Sequence, residues 1–197
     1  MSKSYTKLLF LLLTLPLLHG CIFVVAGGAV AGASAVHDRR GTGTIVDDRK
    51  IQLTIYDNIN QDKDLVRGNY RVKVVVFNGT VLLCGQAAAP ALRQRAEDIA
   101  KANSDPARIV NEIVVAEEPE GFWRRRQDNA MSIRVRTALL DITSMPGFDA
   151  SRVNVTMCDG TAFLMGSVRH EEADAVVQIV RDVNGVERVV KVFEFTD

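Results

Sequence analysis

Three groups of side chains in this sequence could do chemistry. The first is Leu18-His19-Gly20-Cys21, closing a leader in which Lys3 and Lys7 precede the apolar run Leu8 to Leu18. A short positive region, an apolar run and a small residue before the cut are what the export machinery reads. A Cys directly after the cut makes an L-x-G-C lipidation site. Residues 1–20 are then expected to be removed, leaving Cys21 with acyl chains on its thiol and amine. An uncleaved membrane anchor is the competing reading, because apolar residues continue from Ile22 to Val36. The Leu-rich run is short of the roughly 20 residues that span a bilayer. Gly27, Gly28 and Gly32 interrupt the continuation in the manner of a flexible tether.

The second group is Phe122-Trp123-Arg124-Arg125-Arg126, followed by Met131, Arg134 and Arg136. Aromatic rings favour the membrane interface. Each Arg beside anionic headgroups gains on the order of 1 kcal/mol, and its fork matches phosphate geometry. A lipid contact is one reading. The other is a solvated linker whose aromatics pack between two modules, and both hold together if Trp123 packs while the arginines face outward.

The third group is His170 beside Glu171 and Glu172, which on paper could be a general-base pair. Glutamates in a first helical turn are, however, ordinary complements to the helix dipole. The other histidines, His19 and His37, fall in the leader and the tether. No nucleophile elbow, phosphate loop or metal-ligand spacing is present. A binding module is expected, with no catalytic residue, metal or cofactor.

The chain carries 24 basic and 24 acidic residues, and without Lys3 and Lys7 the remainder has 22 against 24. Such a balance excludes a bulk nucleic-acid binder and leaves only local patches to attract an acidic surface. Cys84 and Cys158 sit in apolar, strand-like runs, so buried free thiols are preferred, while a disulfide stays open in an oxidising compartment.

The elements that must position these groups come from a repeat. Val72 to Gly85 recurs as Val153 to Gly166, each a pair of β-rich runs around Asn78-Gly79 or Asp159-Gly160. Those dipeptides accept the positive φ of a type I′ hairpin turn. Upstream, Ile51, Ile55 and Ile59 match Met131, Val135 and Leu139 as helical stripes, with Asp48 and Asp128 as N-caps. Gly85 and Gly166 are read as ending the second strands. Downstream come a helix (Leu92, Ala96, Ile99; then Ala173, Val176, Val177, Val180) and a strand (Ile109 to Val115; Val186 to Phe195). The expected fold is α+β: two αββαβ modules, each laying two helices on a three-stranded mixed sheet. The boundaries are tether 21–46, first module 47–117, acidic linker 118–127 and second module 128–197.

This pattern resembles the BON domain, marked by strands around N/D-G, a glycine, a helix and V-x-x-V before the last strand (here Val186-Glu187-Arg188-Val189). With the lipobox and Asp38 to Asp48 (D-x-R-x-x-G-T-x-x-D-D), the whole resembles the DolP family of dual-BON outer-membrane lipoproteins. The resemblance implies a periplasm-facing outer-membrane lipoprotein that binds anionic, phosphatidylglycerol-like phospholipid, supports envelope integrity and is linked to division sites. It implies a lipid contact at the first helix of the second module, where Asp128, Val135, Arg136, Leu139 and Leu140 match. Ala130 stands where members can carry Trp, and the single Trp of this chain is Trp123. The contact is therefore drawn over Phe122, Trp123, Arg124, Arg125, Arg126, Ala130, Met131 and Arg134. The alternative is a protein-binding adaptor for outer-membrane assembly or cell-wall hydrolase regulation, met at exposed sheet edges.

Overall fold

A computed structural model describes residues 41–140, 142 and 147–197. The leader, Cys21 and the tether up to Arg40 lie outside the described residues. The first half runs α1 (Thr42–Gln61), β1 (Val72–Phe77), β2 (Thr80–Ala87), α2 (Pro90–Asn103) and β3 (Arg108–Val115). The second runs α3 (Phe122–Leu140), β4 (Asn154–Cys158), β5 (Thr161–Val168), α4 (His170–Asp182) and β6 (Arg188–Phe195). The fold is α+β, with a three-stranded mixed sheet in each half. β1 and β4 pair antiparallel with β2 and β5, which pair in parallel with β3 and β6.

The hairpin turns follow from their dipeptides. Asn78 and Gly79 have φ of 49° and 75°, and Asp159 and Gly160 have 46° and 74°, so both turns take positive φ at both central positions. The strands alternate. Val81 and Leu83 face the helices with Ile55, Ile59 and Ala96. Ala162 and Leu164 do the same with Met131, Val135 and Val176. The period-2 pleat sends Leu82, Cys84, Phe163 and Met165 to the opposite faces.

Those opposite faces meet. Phe77, Leu82 and Cys84 share one buried cluster with Cys158, Phe163, Met165 and Val192. Cys84 and Cys158 are bonded as a disulfide across it, with Cα atoms 6.2 Å apart. The free thiols preferred on sequence are thus corrected. Apolar burial and pairing are compatible here because the sheets pack face to face. Polar links flank the cluster, from Lys73 Nζ to the Met157 carbonyl (2.6 Å) and from Asn78 Nδ2 to Glu194 (2.7 Å).

Four further expectations change. Helix α3 begins at Phe122, so the second half of the segment read as linker is helical, and α1 likewise starts at Thr42 within the expected tether. Asp48 and Asp128 therefore lie inside helices and are not N-caps. Each is buried and reaches the hairpin turn of its own module. Asp48 accepts the N–H groups of Asn78 (2.6 Å) and Gly79 (2.9 Å), and Asp128 those of Asp159 (2.7 Å) and Gly160 (3.0 Å). Gly85 and Gly166 sit within β2 and β5 and do not end them. A Cβ at either would collide with the carbonyl oxygen of Arg71 or Arg152.

Candidate functional site: the exposed face of the second module's first helix

Helix α3 is amphipathic in a reversed sense: its outer face is apolar as well as basic. Asp128, Met131, Val135 and Leu139 recur at three- and four-residue steps and are buried. Opposite them, Trp123 is 78% exposed, Ile133 68% and Leu140 72%, with Phe122 half-exposed beside them. Ala130, Arg126 and Arg134 are exposed on the same side. Single exposed apolar residues need no explanation, but a row of them along one helix does.

The helix carries five arginines and, in Asp128, one acid, which is turned inward. Their roles diverge because each residue turns the helix by about 100°. Arg124 points into its own module. Its Nε contacts Asp159 and a terminal nitrogen contacts Glu187, both at 2.8 Å, and these partners push its pKa further up. Arg136 donates to the Val155 carbonyl at 3.2 Å. Arg126 stacks over the Phe122 ring at 5.1 Å, and Phe122 meets Trp123 edge-on at 5.5 Å.

Of the residues expected to form a lipid contact, Phe122, Trp123, Arg126, Ala130 and Arg134 are thus brought onto one exposed face. Arg125 lies on its flank, toward the first module. Met131 is corrected: it is completely buried in the core against Val135 and Val176, so its side chain cannot reach a surface. Arg124 is corrected as well, since its guanidinium is spent on two carboxylates. Ile133 and Leu140 join the face. Their signal was a second apolar stripe at 123, 130, 133 and 140, offset from the core stripe. The packing alternative for the aromatics does not hold either, since the modules meet through their sheets while Trp123 faces outward.

His170 takes a different place. Its ring stacks on Phe195 at 3.9 Å and its Nδ1 lies 2.8 Å from Asp197. Glu172 is fully buried, accepting the Arg169 N–H at 2.8 Å and facing Arg152 and Arg169. Among the described residues no cluster of His, Cys, Asp and Glu could hold a metal ion, and no helix is long and apolar enough to cross a membrane.

The sequence matches the BON-domain family profile over residues 47–117 and again over 128–197. It is 29% identical to the Outer membrane lipoprotein DolP of Haemophilus influenzae over 191 residues, covering 97% of this chain and 96% of that one. It is 31% identical to the 21 kDa hemolysin of Actinobacillus pleuropneumoniae over 158 residues, or 80% and 79% of the two chains. CdsD, a structural protein of the type III secretion system of Chlamydia trachomatis, aligns over 75% of this chain and 92% of its own at 16% identity. Its TM-score of 0.27 is too low to bear on the arrangement. With two profile matches laid on two copies of one helix-and-sheet unit, the chain belongs to the BON-domain family, in the two-module form that resembles the DolP lipoproteins over nearly its whole length.

Proposed function

We propose that this chain is an outer-membrane lipoprotein, anchored through Cys21 and facing the periplasm, whose second module docks on anionic phospholipid and so supports envelope integrity, including at division sites. The likeness to a relative named as an outer-membrane lipoprotein, over almost the full length of both chains, supports the location. The observation that carries the docking is the α3 face, where Trp123, Ile133 and Leu140 are exposed in line with Arg126 and Arg134. Apolar side chains would enter the headgroup boundary while the guanidinium groups meet phosphate, as in an interfacial helix. No catalytic step is assigned.

Co-sedimentation with vesicles of rising phosphatidylglycerol content tests this. Binding is expected to grow with acidic lipid and to fall when Trp123, Ile133 and Leu140 are made polar. A folded protein that ignores acidic vesicles would overturn the docking and favour a protein-binding adaptor at the same location.

A further inference from the structure

The disulfide joins the two modules from unequal positions. Cys84 is completely buried in the cluster between the sheets. Cys158, the last residue of β4, keeps 6% of its surface and borders a cleft of about 590 Å³ that Cys84 does not line. The cleft opens between the modules, with Arg71, Lys73 and Arg125 in its wall against one acid, Glu120. Lys73 is fixed beside the bond. Its partner in the β1–β2 register is Cys84, so the two side chains leave the same sheet face about 5 Å apart at Cβ. Its Nζ donates to the carbonyl of Met157, next to Cys158, at 2.6 Å. One cation is thus tied to both halves of the disulfide.

A sulfur shut in apolar surroundings resists exchange, whereas an attacking thiolate needs access and gains from nearby cations. Each description fits one end of this bond. We propose that Cys84–Cys158 is a thiol-exchange site of the native protein, entered at Cys158 from the cleft by a small acidic thiol. The basic wall draws such an anion in. Its thiolate attacks Cys158 Sγ and forms a mixed disulfide there, while the Sγ–Sγ bond breaks and its electron pair leaves on Cys84 Sγ. Lys73, opposite Cys84, offsets the charge of that departing thiolate, which then takes a proton from water. A second thiol releases Cys158, so the cystine gains two electrons as two thiols become one disulfide. The modules need not part for this. Phe77, Leu82, Phe163, Met165 and Val192 pack between the sheets without help from the bond, and Arg188 meets Glu112 across the modules at 3.0 Å. Both cysteines therefore stay in place to re-form the bond.

Glutathione, an acidic thiol, is the probe. The full mature chain in maltoside micelles is treated with reduced glutathione in native buffer, quenched with acid, capped with N-ethylmaleimide and mapped by peptide mass spectrometry. The glutathionyl adduct is expected on Cys158 in at least tenfold excess over Cys84, whose thiol should carry the cap. Single-thiol variants read the same asymmetry in reverse. Oxidised glutathione should modify Cys158 in Cys84→Ala at least tenfold faster than Cys84 in Cys158→Ala. Lys73→Gln, which keeps a donor for the Met157 carbonyl, should slow exchange with glutathione at least threefold, and exchange with uncharged 2-mercaptoethanol less. The proposal is overturned by adducts shared equally between the two cysteines, by a Cys84 thiol as reactive as Cys158, or by equal rates in wild type and Lys73→Gln. Exchange no faster than global unfolding in a urea series would overturn it too. None of these outcomes bears on vesicle docking at α3, which has its own assay.

Discussion

Asp128, in the second turn of α3, accepts the backbone N–H of Gly160 at 3.0 Å and so ties the helix to the turn between β4 and β5. Asp48 holds Gly79 in the same way at 2.9 Å. Each clasp joins residues some thirty positions apart (|i−j| of 31 and 32) and closes the module around its hairpin.

Asp128→Ala should therefore cost more than the loss of a surface charge. One buried and one part-buried N–H would lose a charged acceptor, worth about 3–6 kcal/mol together by typical values for such bonds. Asp128→Asn keeps a single acceptor oxygen and should fall between wild type and Ala. Urea unfolding monitored by circular dichroism measures both; an Ala variant as stable as wild type would refute the clasp.

Gly160→Val should destabilise the second module for two reasons. Its φ of 74° is hostile to a β-branched residue, and a Cβ there would come within 2.6 Å of Arg124 and 2.7 Å of Glu187. The expected thermal midpoint is lower by several degrees, and Gly160→Ala should be the milder change.

Arginines that are adjacent in sequence should separate by assay. Arg124→Ala breaks two partly exposed ion pairs and should lower stability by about 1 kcal/mol, with little effect on vesicle binding. Arg126→Ala with Arg134→Ala should do the opposite. At about 1 kcal/mol each, their loss weakens binding to acidic vesicles by about thirtyfold at low salt. The deficit should shrink as salt rises. Equal binding losses from Arg124 and from Arg126 with Arg134 would count against this division.

Reduction should weaken the folded state. The Cys84–Cys158 bond closes a loop with a sequence separation of 74 residues, and a loop of that length contributes about 4 kcal/mol through the unfolded chain. Oxidised protein should show no free thiol at these positions and should unfold at higher urea than a Cys84→Ala, Cys158→Ala variant. Two titratable thiols in the native, unreduced protein would contradict the bond.

Two carboxyls should pull stability in opposite directions with pH. Burial raises the Glu120 pKa, with Asp128 and Asp159 adding to the shift, so the folded state binds the proton more tightly. Its contribution is favourable below the unfolded value and is lost as pH rises through the folded one. Glu120→Gln should then match or exceed wild-type stability at neutral pH, the difference closing toward pH 4. Asp197 is lowered, chiefly by the hydrogen bond from His170. Its contribution is present above the unfolded value and lost as pH falls through the folded one. Asp197→Asn should remove that acid-side dependence in unfolding curves.

Much of this was readable in the chain, and the failures share a cause. The hairpins followed from Asn78-Gly79 and Asp159-Gly160, because turn chemistry is local. The core stripe of α3 followed from Met131, Val135 and Leu139, and that stripe already argued against counting Met131 as a surface contact. The N-cap reading of Asp48 and Asp128 failed because a cap is judged by its neighbours, whereas their partners lie about thirty residues on. Arg124, Arg125 and Arg126 look alike in sequence and are separated only by rotation about the helix axis. The Cys84–Cys158 pair depends on contact between sheets that neither repeat can reveal alone.

The cluster between the sheets is also built from equivalent positions of the two repeats. Phe77, Leu82 and Cys84 are the repeat counterparts of Cys158, Phe163 and Met165, and all six lie in that one cluster. Each copy thus offers the other the same patch, which is the signature of an isologous, two-fold association. The tandem chain thus packs like positions against like positions within a single polypeptide. The disulfide breaks that equivalence, since the positions matching Cys84 and Cys158 are Met165 and Phe77. Expressed separately, each half would bare an oily, self-complementary surface and pair with its own kind.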